Sequence, residues 1–283
     1  MKKKILCIFA HPDDESFGPG GTLARYAREG VDIEILCATR GEAGRNSSQE
    51  EIENILSETR AKEIVKAAKV LGVKKVEFLD YRDGELCNNK YHELSSKLAF
   101  KIKQFKPQVI ITFEPLGVSG HLDHIALSLI TTFTVQRMKF KGRLYYYCIN
   151  KERANLFKKY FIYFPPGYDL QQIATSVDVS RVWSVKIKAM KCHASQIHDV
   201  RRILRKTKNM PRIEHFLLFE KEKWPGVYCV RHGVRRRPGS RQGGVTRLPG
   251  GTHPGVARAC GSPWARRRRR RGSERSSCRL SGV

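Results

Sequence analysis

Five apolar residues, Ile5-Leu6-Cys7-Ile8-Phe9, run directly into Ala10-His11-Pro12-Asp13-Asp14-Glu15. The apolar run has the length and composition of a buried strand bounded by turn residues. A strand that delivers one imidazole and three carboxylates within five positions carries them at its C-terminal end. In open α/β sheets that is where ligands bind. Four ionisable groups this close would repel one another or stay unpaired in an ordinary turn. A divalent cation resolves the conflict, because histidine nitrogens and aspartate oxygens are ordinary zinc ligands.

The chain downstream alternates between strand and helix. Gly18-Pro19-Gly20-Gly21-Thr22 leads into a short helix over 23–28 that stops at Gly30, and 31–38 reads as a second strand. A long helix is expected over about 50–71, with Ile52, Leu56, Ile64, Ala67, Ala68 and Leu71 as its apolar stripe and Gly72 as its stop. Strands at 73–79 and 109–113 flank a helix at 94–105. Such alternation argues for βαβ units and a parallel sheet. Beyond about residue 140 the pattern loosens. Strands are expected at 144–149, 171–179 and 215–219, with one helix over 181–196. The glycines at 18, 20 and 21 lack both a Walker lysine and the GxGxxG spacing, so they read as turn residues that let a helix pack close to the acidic loop.

Composition divides the chain. The net charge of +27 would ordinarily suggest a nucleic acid or an anionic membrane as partner. Residues 225–283, however, hold 15 Arg, no Lys and one acid, Glu274, whereas the remainder carries 25 Lys and 14 Arg against 26 acids. No apolar periodicity survives in that tail, which reads as disordered and foreign to the preceding domain. The expected boundaries are therefore 1–223 for the domain and 224–283 for the tail, with nucleic acid not expected as a partner. None of the eight Cys forms a CxxC pair, and Cys7, Cys37 and Cys148 lie in apolar runs as small buried hydrophobes. Lys2-Lys3-Lys4 resembles the start of a signal peptide, but the apolar run that follows is shorter than the roughly 7–15 residues one requires. No stretch approaches the roughly 18 apolar residues of a membrane span. A cytoplasmic protein is expected, and the sequence sets no oligomeric state.

A second cluster, Gly117-Val118-Ser119-Gly120-His121-Leu122-Asp123-His124, follows the strand at 109–113. His121 and His124 stand three apart at a helix start, so one turn can aim both at one point. Together with His11 and Asp14 they make a three-ligand site credible. Three protein ligands leave a fourth position open, as catalytic rather than structural zinc sites do.

These two motifs resemble the LmbE-like de-N-acetylase family, which includes the N-acetylglucosaminyl-phosphatidylinositol (PIG-L) deacetylases and deacetylases of bacterial thiol biosynthesis. The likeness runs from about residue 3 to 222. It takes in Thr39-Arg40-Gly41-Glu42-Ala43-Gly44, Tyr81-Arg82-Asp83, the stretch from Lys188 to Gln196 with His193, and Glu214-His215-Phe216. Leu122 stands where the family usually has Pro. The resemblance implies a Rossmann-like three-layer α/β fold with a mostly parallel sheet and a metal site at the C-terminal strand ends. It implies one Zn²⁺ per chain, or another divalent ion, held by His11, Asp14 and His124. Asp13 would be the general base, and His121, oriented by Asp123, would stabilise the oxyanion as a cation. Arg45 and Asp83 would rim the site and bind sugar hydroxyls. Glu15 would either support the site or place its charge at a helix start, and His193 and His215 would be structural. The implied reaction is hydrolysis of the N-acetyl group of an N-acetylglucosamine-type sugar conjugate, a small-molecule substrate, giving acetate and a free amine. The alternatives are an amidase acting on a larger sugar-linked conjugate and, from a different class, a nucleic-acid-binding protein working through its basic tail.

Overall fold

The central strand dictates the layering. A computed structural model of the chain describes residues 2–43, 50–87 and 89–220. The strand β1 (Lys4–Phe9) is buried along almost its whole length, so it needs cover on both faces and reads as an unbroken apolar run. It pairs in parallel with β2 (Asp32–Thr39) on one side and β4 (Val109–Phe113) on the other. β3 (Lys75–Tyr81), β5 (Arg143–Cys148), β6 (Thr175–Asp178) and β7 (Ile213–Leu218) complete a seven-stranded sheet of order β3-β2-β1-β4-β5-β7-β6. Only β7 runs against the rest, pairing antiparallel with both β5 and β6. The mostly parallel α/β sheet expected from the alternation is present.

Nine helices connect and cover the strands among the described residues. After β1 come a single turn, α1 (Asp14–Phe17), and α2 (Gly20–Arg28), then α3 (Glu50–Leu71) after β2 and α4 (Tyr91–Phe105) after β3. The short α5 (Gly117–Gly120) and α6 (Leu122–Arg137) follow β4, and α7 (Lys151–Asn155) follows β5. α8 (Trp183–Cys192) and α9 (Ile197–Lys206) lie between β6 and β7. α2, α3 and α8 pack together over one side, and α4 pairs with α6. Right-handed crossovers from a central β1 place these two groups on opposite faces.

The structure revises the second half of the expected element list. The helix expected over 181–196 breaks: α8 ends at Cys192, and His193 turns its ring inward before α9 begins. α9 exposes most of its charged residues and buries Val200. The strand expected at 171–179 is confined to Thr175–Asp178. Arg45 and the boundary at 223/224, with the arginine-rich tail, lie outside the described residues. No helix among the described residues is long and apolar enough to cross a membrane.

Two buried ion pairs tie the late elements to the loop after β1. The ammonium of Lys186 in α8 donates to Glu214 Oε1 at 2.5 Å and to the Gly18 carbonyl at 2.5 Å. The Glu214 carboxylate in turn accepts from the backbone N–H groups of Gly21 at 2.9 Å and Thr22 at 2.7 Å. An internal carboxylate thus occupies the anion-binding start of α2, as the positive end of a helix favours. Gly21 is required by close approach, since a Cβ there would sit 2.6 Å from Val179 Cβ. The second pair joins His193 Nε2 to Glu15 Oε1 at 2.7 Å, with both side chains fully buried.

Removing one member of a buried pair strands the other charge, at a cost of about 3–5 kcal/mol. Glu214→Ala should therefore lower the urea-unfolding free energy by about that amount, whereas Glu214→Leu with Lys186→Met should cost much less. The His193 imidazole is desolvated by burial, but the Glu15 charge and hydrogen bond outweigh this and raise its pKa. A raised folded-state pKa gives stability that is complete below the unfolded value of about 6.5 and lost as pH rises through the folded one. The excess in urea midpoint of wild type over His193→Gln should thus shrink as pH rises above about 6.5.

Candidate metal and catalytic site

The loop after β1 begins with strained backbone. Asp13 has φ 121° and ψ −27°, a region a side chain enters only when its surroundings impose it, at a cost of about 1–3 kcal/mol. Glu15 Oε2 accepts its backbone N–H at 3.1 Å. Arg60, from the middle of α3, donates to Asp13 Oδ2 at 2.9 Å, to the Pro12 carbonyl at 2.6 Å and to the Gly41 carbonyl at 2.8 Å. Burial pushes the Asp13 carboxyl up to about 6, with Arg60 pulling against it and Asp14 adding to it. The Asp13 backbone also starts α1, accepting from Ser16 and Phe17.

The second cluster is delivered by the loop after β4. Glu114 gathers the N–H groups of Leu116 at 2.8 Å and Val118 at 2.5 Å and the hydroxyl of Tyr168 at 2.6 Å. This fixes a turn in which Val118 sits at φ 62° and Gly117 at φ 71°. A Cβ at Gly117 would lie 2.9 Å from His124 Cβ, so glycine lets the loop close over that ring.

His11, Asp14 and His124 converge. His11 Nδ1 lies 3.1 Å from His124 Nε2, His124 Nε2 is 3.3 Å from Asp14 Oδ1, and His11 Nδ1 is 3.8 Å from Asp14 Oδ2. A tetrahedral ion with ligands at about 2.0–2.1 Å has ligand–ligand edges of about 3.3–3.4 Å, within the range of these three separations. The remaining nitrogens are already engaged. His124 Nδ1 faces the Gly117 carbonyl at 3.0 Å, and His11 Nε2 faces Asp83 Oδ1 at 2.9 Å and Asp123 Oδ2 at 3.3 Å. Such partners fix the tautomer that points a bare nitrogen at a metal. Burial disfavours a charge on His11, yet Asp123, Asp83 and Asp14 outweigh it and raise its pKa to about 10. The ring sits in a site built for a cation, whose binding displaces that proton. The same residue types allow two other groupings, His11 with His121 and His124, and His11 with Asp83 and Asp123. In the second, Asp123 already accepts from the N–H groups of Gly84 at 2.7 Å and Leu86 at 3.1 Å. Asp14 likewise accepts the His11 backbone N–H on Oδ2 at 2.7 Å, which leaves its Oδ1 facing His124.

One expected contact is corrected by the geometry. The Asp123 carboxylate bonds His11, Gly84 and Leu86; only its backbone N–H reaches the His121 ring, donating to Nδ1 at 3.3 Å. Asp123 thus orients His11, while His121 is set by its place as the N-cap of α6. Burial, then the charges of His11 and His124, pushes His121 down to about 4, which favours its neutral form. Asp83 lines the same cavity, and its 9% exposed carboxylate bonds His11 and the Ala43 N–H. Glu15 stands in the first turn of α1 and its carboxylate accepts the Asp13 backbone N–H, a contact that fits both of its expected roles. Arg60 was not anticipated; its only signal was an arginine four residues from both Leu56 and Ile64 in the apolar stripe of α3.

These groups line a cavity of about 380 Å³, walled on the far side by Tyr147, Arg153, Phe157 and Tyr160. A larger hollow of about 960 Å³ at the opposite edge of the sheet is lined by Lys103, Lys139, Phe140 and their neighbours, with no histidine or carboxylate. It offers no comparable chemistry.

Residues 6–134 match the family model described as PIG-L, GlcNAc-PI de-N-acetylase. A 1D-myo-inositol 2-acetamido-2-deoxy-alpha-D-glucopyranoside deacetylase from Actinosynnema mirum is 30% identical over 228 residues, covering 69% of this chain and 81% of the relative. Among solved structures, the N,N'-diacetylchitobiose deacetylase of Pyrococcus horikoshii shares the fold with a TM-score of 0.59 at 23% identity, over 77% of this chain and 84% of that one. So does GalB, a 4-carboxy-2-hydroxymuconate hydratase from Pseudomonas putida, with a TM-score of 0.59 at 20% identity over 80% and 98%. The fold alone therefore does not choose a reaction, and the choice rests on the site. By sequence motif, site composition and kinship over most of the relative's length, the chain belongs to the PIG-L, or LmbE-like, de-N-acetylase family.

Proposed function

We propose that the chain is a zinc-dependent hydrolase that removes the N-acetyl group from an N-acetylglucosamine-type sugar conjugate, releasing acetate and a free amine. The observation that carries this reading is the triangle of His11 Nδ1, His124 Nε2 and the Asp14 carboxylate beside a carboxylate of raised pKa. The names of the relatives, deacetylases of small N-acetylated sugars, point the same way.

His11, Asp14 and His124 would hold the ion, with Asp83, Asp123 and the Gly117 carbonyl steadying the two rings. Zinc at such a site acts as a Lewis acid on a carbonyl and lowers the pKa of water. Asp13 is the general base in this reading. A carboxylate raised to about 6 accepts a proton from the attacking water more readily than an ordinary one, yet is mostly ionised at neutral pH. Arg60 holds one Asp13 oxygen, so the other is the one turned to the proton. His121 receives a proton-bearing Nε2 by elimination, because Nδ1 accepts from the Asp123 N–H. That Nε2–H donates to the amide oxygen as negative charge develops there. Asp13, once protonated, returns the proton to the departing amine.

We assign this activity to residues 1–223 and leave the segment 224–283 outside it. A cytoplasmic setting accords with Cys7, Cys37 and Cys148 as buried free thiols.

Two measurements test the reading together. Metal analysis of the purified chain should give about one zinc ion per molecule alongside acetate release from N-acetylglucosamine conjugates, with both lost in His124→Ala. Zinc without acetate from any N-acetylated sugar would overturn the substrate assignment, and absence of metal would overturn the whole proposal. Asp13→Asn keeps all three ligands, so it should retain zinc while losing about 10²–10⁴-fold in kcat.

A further inference from the structure

Strand register builds an apolar floor at the N-terminal edge of the sheet. Ile5 pairs with Val109 and Ile111 with Tyr145, so strand alternation puts all four on one face. Phe216 falls on the same face, because it pairs with Thr175 and with Tyr147, two positions on from Tyr145. The Tyr145 and Phe216 rings meet edge to face with centroids 6.4 Å apart. α2 borders this floor through Tyr26, whereas the connection after β5 supplies the short α7 at the opposite edge. What stays open here is the hollow of about 960 Å³.

Its rim is basic. The end of α4 contributes Lys103 and Lys106, the turn between α6 and β5 contributes Lys139 and Lys141, and Lys3 precedes β1. All five are exposed, and among the described residues none forms an ion pair with a carboxylate. Lys4 is fixed beside them, its ammonium donating to the Phe105 carbonyl at 3.1 Å. No Asp or Glu lines the hollow. The acids nearby in the chain are engaged, Asp32 with Lys2 and Lys74 and Glu29 with Arg25. Like charges around one opening raise its potential and draw an anion. A bare anion would leave Ile5, Ile111 and Phe216 uncovered, and a neutral hydrocarbon would make no use of the lysines. One molecule with both parts satisfies both.

We propose that this hollow is a binding site for a single-chain anionic amphiphile. Its carboxylate or phosphate head meets the lysine rim, and its hydrocarbon tail covers the floor formed by Ile5, Ile111, Tyr145 and Phe216. The volume lies within the roughly 300–1,000 Å³ of pockets that enclose small ligands. The site stands at the other end of β1 from the metal loop, so it does not depend on the deacetylase reading.

The test is calorimetric titration of the full chain with decanoate, decyl phosphate, 1-decanol and inorganic phosphate, each below any micelle-forming concentration. At least one of the two amphiphilic anions should bind about tenfold more tightly than both decanol and inorganic phosphate, since head and tail each contribute. The better anion identifies carboxylate or phosphate as the head. Its octyl homologue should bind about tenfold more weakly, as two methylenes leave the floor. The double variant Lys103→Gln with Lys141→Gln changes two exposed side chains, so the core stays intact, and it should bring the anion severalfold closer to decanol. Failure of both anions to bind, as when a second copy or another part of the chain fills the hollow, would overturn the proposal. Unchanged anion binding in the double variant would place the ligand elsewhere and overturn it too. So would binding that is lost in His124→Ala, which would put the ligand in the metal cavity.

Discussion

The grip on the His11 imidazole is the constraint from which the rest of the site follows. One nitrogen is held by two carboxylates, Asp83 from the loop after β3 and Asp123 from the start of α6, and the other faces His124 and Asp14. Elements on both sides of β1 must therefore meet at its C-terminal end. A central strand with parallel neighbours achieves this, because every loop that follows a parallel strand emerges on the same edge. The chain concentrates negative charge around one ring, and a cation there is what makes the crowding tolerable.

Around that centre the chain uses buried charges as braces. Arg60 crosses from α3 to hold Asp13 in a backbone conformation that no local preference would choose. Glu15 holds the same residue from the other side while pairing with His193. Asp13 consequently combines a protected position with one oxygen fixed by a guanidinium. A base that swung freely on an exposed loop would have neither a raised pKa nor a fixed direction.

The sequence made the first half of the fold legible because its signals are local. Ile5–Phe9 and 109–113 are short, wholly apolar runs, and the stripe of α3 recurs at helical spacing over six turns. Beyond residue 140 the signals are shared with surface polarity. α9 carries Ile197, Val200 and Ile203 among arginines, and the isolated α7 is announced only by Asn150 three residues before Arg153. The convergence of His11, Asp14, His121 and His124 was readable because they stand within two compact motifs. Their supports were not. Whether Asp123 serves His121 or His11 depends on how α6 leaves the sheet, and whether Asp83 faces solvent depends on where β3 ends beside β2. Pairings such as Arg60 with Asp13 or Lys186 with Glu214 join residues far apart in the chain, and only the assembled sheet brings them together.

The linkage from Glu214 and Lys186 to the glycine loop also orders events in time. β1, β2, β3 and β4 can pair as the chain is synthesised, since each meets its neighbours soon after it appears. The start of α2 cannot be completed then, because its acceptor lies 193 positions after Gly21. Glu15 likewise waits for His193, 178 positions later. Contacts of such sequence separation close late. A ribosome that has made the sheet's centre thus holds a chain whose metal loop still lacks its braces, and the catalytic corner acquires its final shape only as the last strand arrives.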